Sequence, residues 1–217
     1  MLKKGKAIIL LLILMSFVMS GCINKEPEQK MYDALEKVVA AEQVFKEQQD
    51  PLVQIEQQEK KIYDEIISLS MKEFDKIKKL SNEAIDLVEQ RKAHMEKERE
   101  SIEQSKQEFE KTEDIINSFD DSTLKKTAED LYGIMIERYD VHDELYTNYI
   151  ASIELDKELY ELFKQEDVTI EQLEAQIAKI NDSYEKVLND NEQFNVKTEE
   201  YNEAKLNFYK EAGIDVK

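Results

Sequence analysis

The stretch LEAQIAKINDSYEKVLNDNEQFNVKTEEYNEAKLNF, Leu173–Phe208, sets its large apolar residues seven apart: Leu173, Ile180, Val187, Phe194, Tyr201 and Phe208. Ile177 and Tyr184 fall four residues after the first two of these, so the apolar steps alternate four and three. That rhythm places the side chains along one face of an α-helix packed against other helices. Asn191, Thr198 and Lys205 then take the partner positions, and the seam thins toward the carboxyl end. Thr169 with Gln172 forms a capping box ahead of the helix, and Gly213 ends it.

The same pattern extends upstream. A helix over about Glu28–Gln49 carries Leu35, Val38, Val39 and Phe45, and Asp50–Pro51 reads as a corner after it. Leu52 to about Ile116 contains no glycine and no further proline, which predicts one long helix, with a bend or a change of partner near Phe74. Asn117–Thr123 (NSFDDST) is a reversal with Asp121 or Ser122 as cap. Leu124–Phe163 forms the third helix, with Arg138 and Asp156 filling polar gaps in its apolar stripe and Gly133 inside it. Gln165–Thr169 turns the chain into the stretch quoted first. Four glycines, two prolines and 36% charged residues agree with long helices. The expected fold is all-α: an elongated antiparallel helical hairpin, or a coiled-coil bundle of three to four helices.

Forty-nine acidic side chains against thirty basic ones give a formal charge of −19. No basic stripe is available for a phosphate backbone, so nucleic acid is excluded as a partner. Residues 1–21 hold three lysines and no acid, so the chain without them carries −22 against the −19 of the whole. A body this acidic is repelled by anionic lipid and stands off a membrane rather than lying on it.

The amino terminus supplies the attachment. Lys3, Lys4 and Lys6 precede the apolar run Ala7–Met19, which ends in Met19, Ser20, Gly21 and the chain's only cysteine, Cys22. This is the layout of an export signal with a processing site. Its ending resembles the bacterial lipobox, which implies that Cys22 becomes the first residue of the processed chain and carries diacylglycerol on its sulfur. Acyl chains such as palmitate anchor through about 0.8 kcal/mol per buried methylene. The expected organisation is a lipoprotein signal peptide over 1–21, a lipid-anchored tether over 22–30 and a helical domain over 31–217. The expected location is the outer face of the cell membrane.

Chemistry is sparse. His94 and His142 stand in no zinc-ligand spacing, Asp120 and Asp121 do not form a calcium loop, and no phosphate-cradling glycine loop occurs. No catalytic residue, metal ligand or cofactor is assigned. Ten tyrosines are more informative. Tyr139, Tyr146 and Tyr160 share one heptad register, and such a strip offers rings to a sugar or a protein partner, or else flanks a broad helical core. Phe119, within the polar reversal, either plugs the bundle end or forms a contact tip.

Three stretches carry a family resemblance: MSGC at Met19–Cys22, YDALEKVVAAEQVFKEQQDPLVQIEQQEKKIYDEI at Tyr32–Ile66, and LYGIMIERYDVHDELYTNYIASIELDKELYELF at Leu131–Phe163. With these the chain resembles the YkyA-type lipoproteins of Gram-positive bacteria, to which cell-wall binding is ascribed. The resemblance implies a surface lipoprotein and transfers no catalytic residue. The leading expectation is a non-enzymatic, lipid-anchored envelope protein that binds wall polymer or an envelope protein and spaces it from the membrane. The alternative is an extracytoplasmic protein-interaction or chaperone-like assembly module. An acidic protein and an anionic wall polymer repel, so contact requires neutral sugar surface or bridging divalent ions.

Overall fold

The computed structural model describes residues 26–215, and these form an all-α four-helix bundle. Helices α1 (Pro27–Ala41) and α2 (Gln43–Ser68) make its first member. Helices α3 (Phe74–Glu110) and α4 (Thr112–Asn117) make the second, α5 (Ser122–Phe163) the third and α6 (Ile170–Glu211) the fourth. Each member runs opposite to its sequence neighbour. Side-chain pairs show the register: Gln49 with Glu98, Lys76 with Glu65, Lys92 with Glu154, Ser105 with Tyr139, and Asn148 with Asp190. A 42-residue helix such as α5 is about 63 Å long.

The caps follow the sequence. Asp121 accepts from the amides of Thr123 and Leu124, and Thr169 and Gln172 close a reciprocal capping box. Gly213, at φ +66, lets the Ile214 amide reach the Tyr209 carbonyl and its own amide the Lys210 carbonyl, so α6 ends in a Schellman turn. A Cβ at Gly133 would meet nothing within 4 Å, so that glycine serves no close helix approach.

Several boundaries differ from the sequence reading. Asp50–Pro51 is not a corner: α2 runs through Pro51, because Leu52 and Ile55 continue a buried stripe that outweighs the missing amide. Conversely, Leu52–Ile116 is not one helix. Leu69 and Ser70 adopt extended backbone, Ser70 and Glu73 form a capping box around the 3-10 turn Met71–Glu73, and the chain reverses there. The second expected helix is therefore half of one bundle member and most of the next. Helix α1 begins at Pro27, inside the stretch expected as a tether, with proline at the first-turn position where its missing amide costs nothing.

The interruption between α1 and α2 has a visible cause. The Ser101 hydroxyl donates to the Ala41 carbonyl at 2.6 Å and accepts from the Phe45 amide at 3.0 Å. It has entered the i to i−4 ladder at that level, a known source of helix kinks. Buried apolar side chains form two clusters. One surrounds Leu35, Phe109, Leu131 and Phe208 at the end where α1 begins; the other surrounds Val88, Met95, Ile153 and Phe194. Polar residues lie between them. Arg138 donates to both oxygens of Glu42 at 2.8 and 2.9 Å and to Thr198, and His142 lies 3.5 Å from Glu98.

Candidate functional site

Along α3 the buried positions advance by four and three: Ala84, Val88, Arg91, Met95, Glu98, Ile102, Ser105 and Phe109. Arg91 thus occupies a core position, 2% exposed, and must be paired there. Its Nη1 donates to Glu59 of α2 at 2.7 Å and to Asp156 of α5 at 3.0 Å. Nε donates to the Tyr149 hydroxyl at 3.1 Å, and Nη2 to the Tyr184 hydroxyl at 2.5 Å. The tyrosines pass the interaction on. Tyr184 donates to Asp156, Tyr160 to Glu59, and Tyr149 to Glu56. The guanidinium carbon also lies 5.1 Å from the centroid of the Tyr149 ring. All four bundle members contribute to this network.

The electrostatics follow from burial. Desolvation pushes the Glu59 and Asp156 carboxyls above their ordinary range; Arg91 opposes this, and mutual repulsion adds to the rise at Glu59. Burial also works against the charge of Arg91, but Tyr184, Tyr149, Glu59 and Asp156 outweigh it and hold the guanidinium above its usual value. The hydroxyls of Tyr149, Tyr160 and Tyr184 are raised beyond the ordinary phenol range, chiefly by burial. No phenolate forms near neutrality.

This network floors a groove of about 610 Å³. Helix α6 packs along α5 and α2 along α3; the first and fourth members meet through Tyr32 with Tyr209 and Phe45 with Phe194, and beyond Phe45 the seam between α2 and α6 opens into the groove. Val53 and Lys60 rim it on α2; Asn181 and Leu188, the latter 69% exposed, rim it on α6. Ile177 and Tyr184, the apolar partner positions of the α6 heptads, face into it. The cluster lies 32 residues beyond the start of α1, about 48 Å at helical rise.

The residues singled out in the sequence do not form one exposed strip. Tyr139 is 1% exposed and shares a 2.6 Å hydrogen bond with Ser105 inside the bundle. Tyr146 is half-buried beneath the Arg99 guanidinium, 4.5 Å from its ring centroid. Tyr160 lines the groove. Phe119 is 6% exposed and meets the Phe208 ring edge-on at 6.0 Å, so it plugs the bundle end and is not an exposed tip. Met19, Ser20, Gly21 and Cys22 lie outside the described residues. Among the described residues, no group of three or more His, Cys, Asp or Glu is placed to hold a metal ion, and no helix is long and apolar enough to cross a membrane.

Sequence reasoning passed over Arg91, Glu59, Tyr149 and Tyr184 as a set. The signal was present: Arg91 stands three residues after Val88 and four before Met95, a charged residue at an apolar step. Asp156 interrupts the α5 stripe in the same way.

Comparison with known proteins gives a consistent result. A family model named YkyA, described as "Putative cell-wall binding lipoprotein", matches residues 26–211, nearly the whole bundle. A relative from Bacillus subtilis (strain 168), the uncharacterized lipoprotein YkyA, is 34% identical over 203 residues, covering 94% of this chain and 91% of its own. The crystal structure of a conserved Staphylococcus aureus protein of unknown function superposes with a TM-score of 0.76 at 19% identity, over 83% of this chain and 91% of that one. That likeness is one of fold.

Proposed function

The chain belongs to the YkyA family of lipoproteins, and from that premise we propose that it is a non-enzymatic envelope protein, anchored by acyl chains on Cys22, that engages cell-wall polymer through the groove between α2 and α6. The family description names binding and no reaction. In this reading residues 1–21 are the processed signal and Met19, Ser20 and Gly21 form its processing site. The short segment after Cys22 holds the start of α1 close to the outer face of the membrane. The bundle then acts as an elongated antiparallel spacer. The observation that carries the reading is the position of the groove: a concave, tyrosine-lined site in the half of the bundle remote from the anchor. Clefts of this volume with apolar walls and a few convergent polar groups are where ligands bind.

The test is sedimentation of the detergent-solubilised full-length lipoprotein with purified wall sacculi. The wild type co-pellets, and Leu188→Arg, which places a long side chain across the groove mouth from an exposed position, reduces pelleting about tenfold or more. Absence of pelleting, or pelleting indifferent to Leu188→Arg, overturns the groove as a wall site. Mass analysis of the native protein shows an acylated amino-terminal Cys22; a free thiol there overturns the anchor. A protein-binding role has its own support, because Ile67, Met71 and Ile170 are exposed at the end of the bundle remote from α1. Crosslinking in intact cells that captures one protein through these residues, with no sacculus binding, selects that role.

A further inference from the structure

The groove holds more negative charge than its own cations balance, and we propose that its occupant is a wall peptide bearing a primary ammonium group, bound with that group beside Glu56, rather than a bare glycan strand. This rests on the wall-binding reading above and names the ligand chemistry within it.

Four carboxylates line the groove, those of Glu56, Glu59, Glu98 and Asp156, against two cations, Arg91 and Lys60; Glu98 is met by Gln49 at 2.8 Å and by the His142 ring at 3.5 Å. Lys60 is paired with Asp64 at 3.1 Å, one turn further along α2. Arg91 has committed Nε, Nη1 and Nη2 to Tyr149, Glu59, Asp156 and Tyr184. It therefore offers an incoming anion little, and a phosphate-bearing polymer would meet the carboxylates unaided. Glu56 is the accessible member of the set. Its side chain is 42% exposed, it accepts from Tyr149, and its Oε1 lies 3.9 Å from Arg91 Nη2, too far for a direct hydrogen bond.

A neutral glycan can stack on the tyrosine rings but leaves the excess charge as it stands. An ammonium supplies the missing cation at a site partly shielded from water, where such pairing is strongest. The rest of the groove suits the stem that carries it. Leu52, Leu159, Ile177 and Ile180 receive methylene groups. The face of Tyr63 or Tyr184 adds cation–π attraction. Burial raises the Glu59 and Asp156 carboxyls, and a bound cation acts against that rise. The same chemistry answers the repulsion between an acidic protein and an anionic wall, since the recognised element is the wall's positively charged group.

The experiment pelleted above is repeated with two sacculus preparations, native and exhaustively N-acetylated with acetic anhydride, and with two proteins, the full-length wild type and Glu56→Gln. Acetylation neutralises the ammonium without touching the protein fold. Because Glu56 is half-exposed, its variant should melt as the wild type does, checked by circular dichroism. The expected result is that acetylation weakens wild-type binding about tenfold, the cost of one charge-assisted contact. Glu56→Gln should bind native sacculi about tenfold more weakly and lose the acetylation penalty. A general charge effect would penalise both proteins alike, and that outcome overturns the inference. Equal binding of the wild type to both preparations overturns the ammonium inference and leaves the wall reading standing. No binding to either preparation overturns both.

Discussion

Arg91 is a charged residue at an apolar step, and its burial is tolerated because Glu59 and Asp156 arrive from two other helices to meet it. The pair-breaking and pair-replacing experiments should therefore give opposite results. Arg91→Met leaves two carboxylates facing each other in a desolvated site and costs about 3–5 kcal/mol in urea unfolding. Adding Glu59→Met and Asp156→Leu removes the stranded charges and recovers most of that loss, because hydrophobic replacement of a buried ionic cluster is near neutral. If the triple variant is no more stable than Arg91→Met, the cluster's cost lies in packing rather than in unpaired charge. At this scale the sequence was partly legible. Heptad spacing correctly grouped Arg138 and Asp156 with the apolar stripe of α5. It could not separate Tyr139 from Tyr160, which share a register, because one is covered by α3 and α6 while the other faces the open seam. Periodicity states which side chains share a face; what covers that face depends on helices distant in sequence.

At the scale of the element, caps were easier to read than continuations. Asp121, Thr169, Gln172 and Gly213 act through contacts with their own neighbours, so local sequence suffices to find them. Pro51 and the Leu69–Ser70 reversal were misread for a shared reason. Proline normally stops a helix, and a run free of glycine and proline normally continues one, but here burial of Leu52 and Ile55 carries α2 through Pro51, and the Ser70–Glu73 capping box starts the chain on a new helix after Leu69. Pro51 is thus a local defect carried by tertiary contacts. Pro51→Ala restores an amide able to donate to the Glu47 carbonyl. Interior proline is about 3 kcal/mol worse than alanine, while the unfolded chain regains about 1 kcal/mol of freedom, so the net gain is about 2 kcal/mol. Urea unfolding should show a higher midpoint at unchanged slope. A lower midpoint would mean that the bend at Pro51 is itself required to bring α2 onto α3.

For the whole molecule, the acidic balance and the helical class were evident from composition, but the equal lengths of the four bundle members were not, since one misplaced reversal converts four similar helices into unequal ones. The open seam was less accessible still, because it arises where α2 and α6, more than a hundred residues apart, fail to close. The buried carboxyls beneath it contribute a pH dependence of stability opposite in direction to ordinary acid denaturation. Glu59 and Asp156 have ordinary values of 4.5 and 3.8, and both are raised in the folded protein, chiefly by burial. The groups facing them are Glu56 from α2, Arg91 from α3, Tyr149 and Tyr160 from α5, and Tyr184 from α6. Arg91 stays charged and the tyrosines stay neutral across the accessible range, so the carboxyls do the titrating. With folded values above unfolded ones, the folded state retains protons that the unfolded chain has released. The associated stability is full below the ordinary carboxyl range and is lost as pH rises through the folded values. Glu89, Glu108 and Glu171 are shifted the other way, but they sit in solvent and their contribution is screened. Acidification through the region just above the ordinary carboxyl range should therefore raise the stability and with it the melting temperature, with a slope of at most about 1.4 kcal/mol per pH unit for each carboxyl. Glu59→Gln, which holds one of the two permanently neutral, should flatten the curve. A melting temperature that falls steadily on acidification, with the same slope in Glu59→Gln, would show that the paired surface carboxylates outweigh the buried cluster.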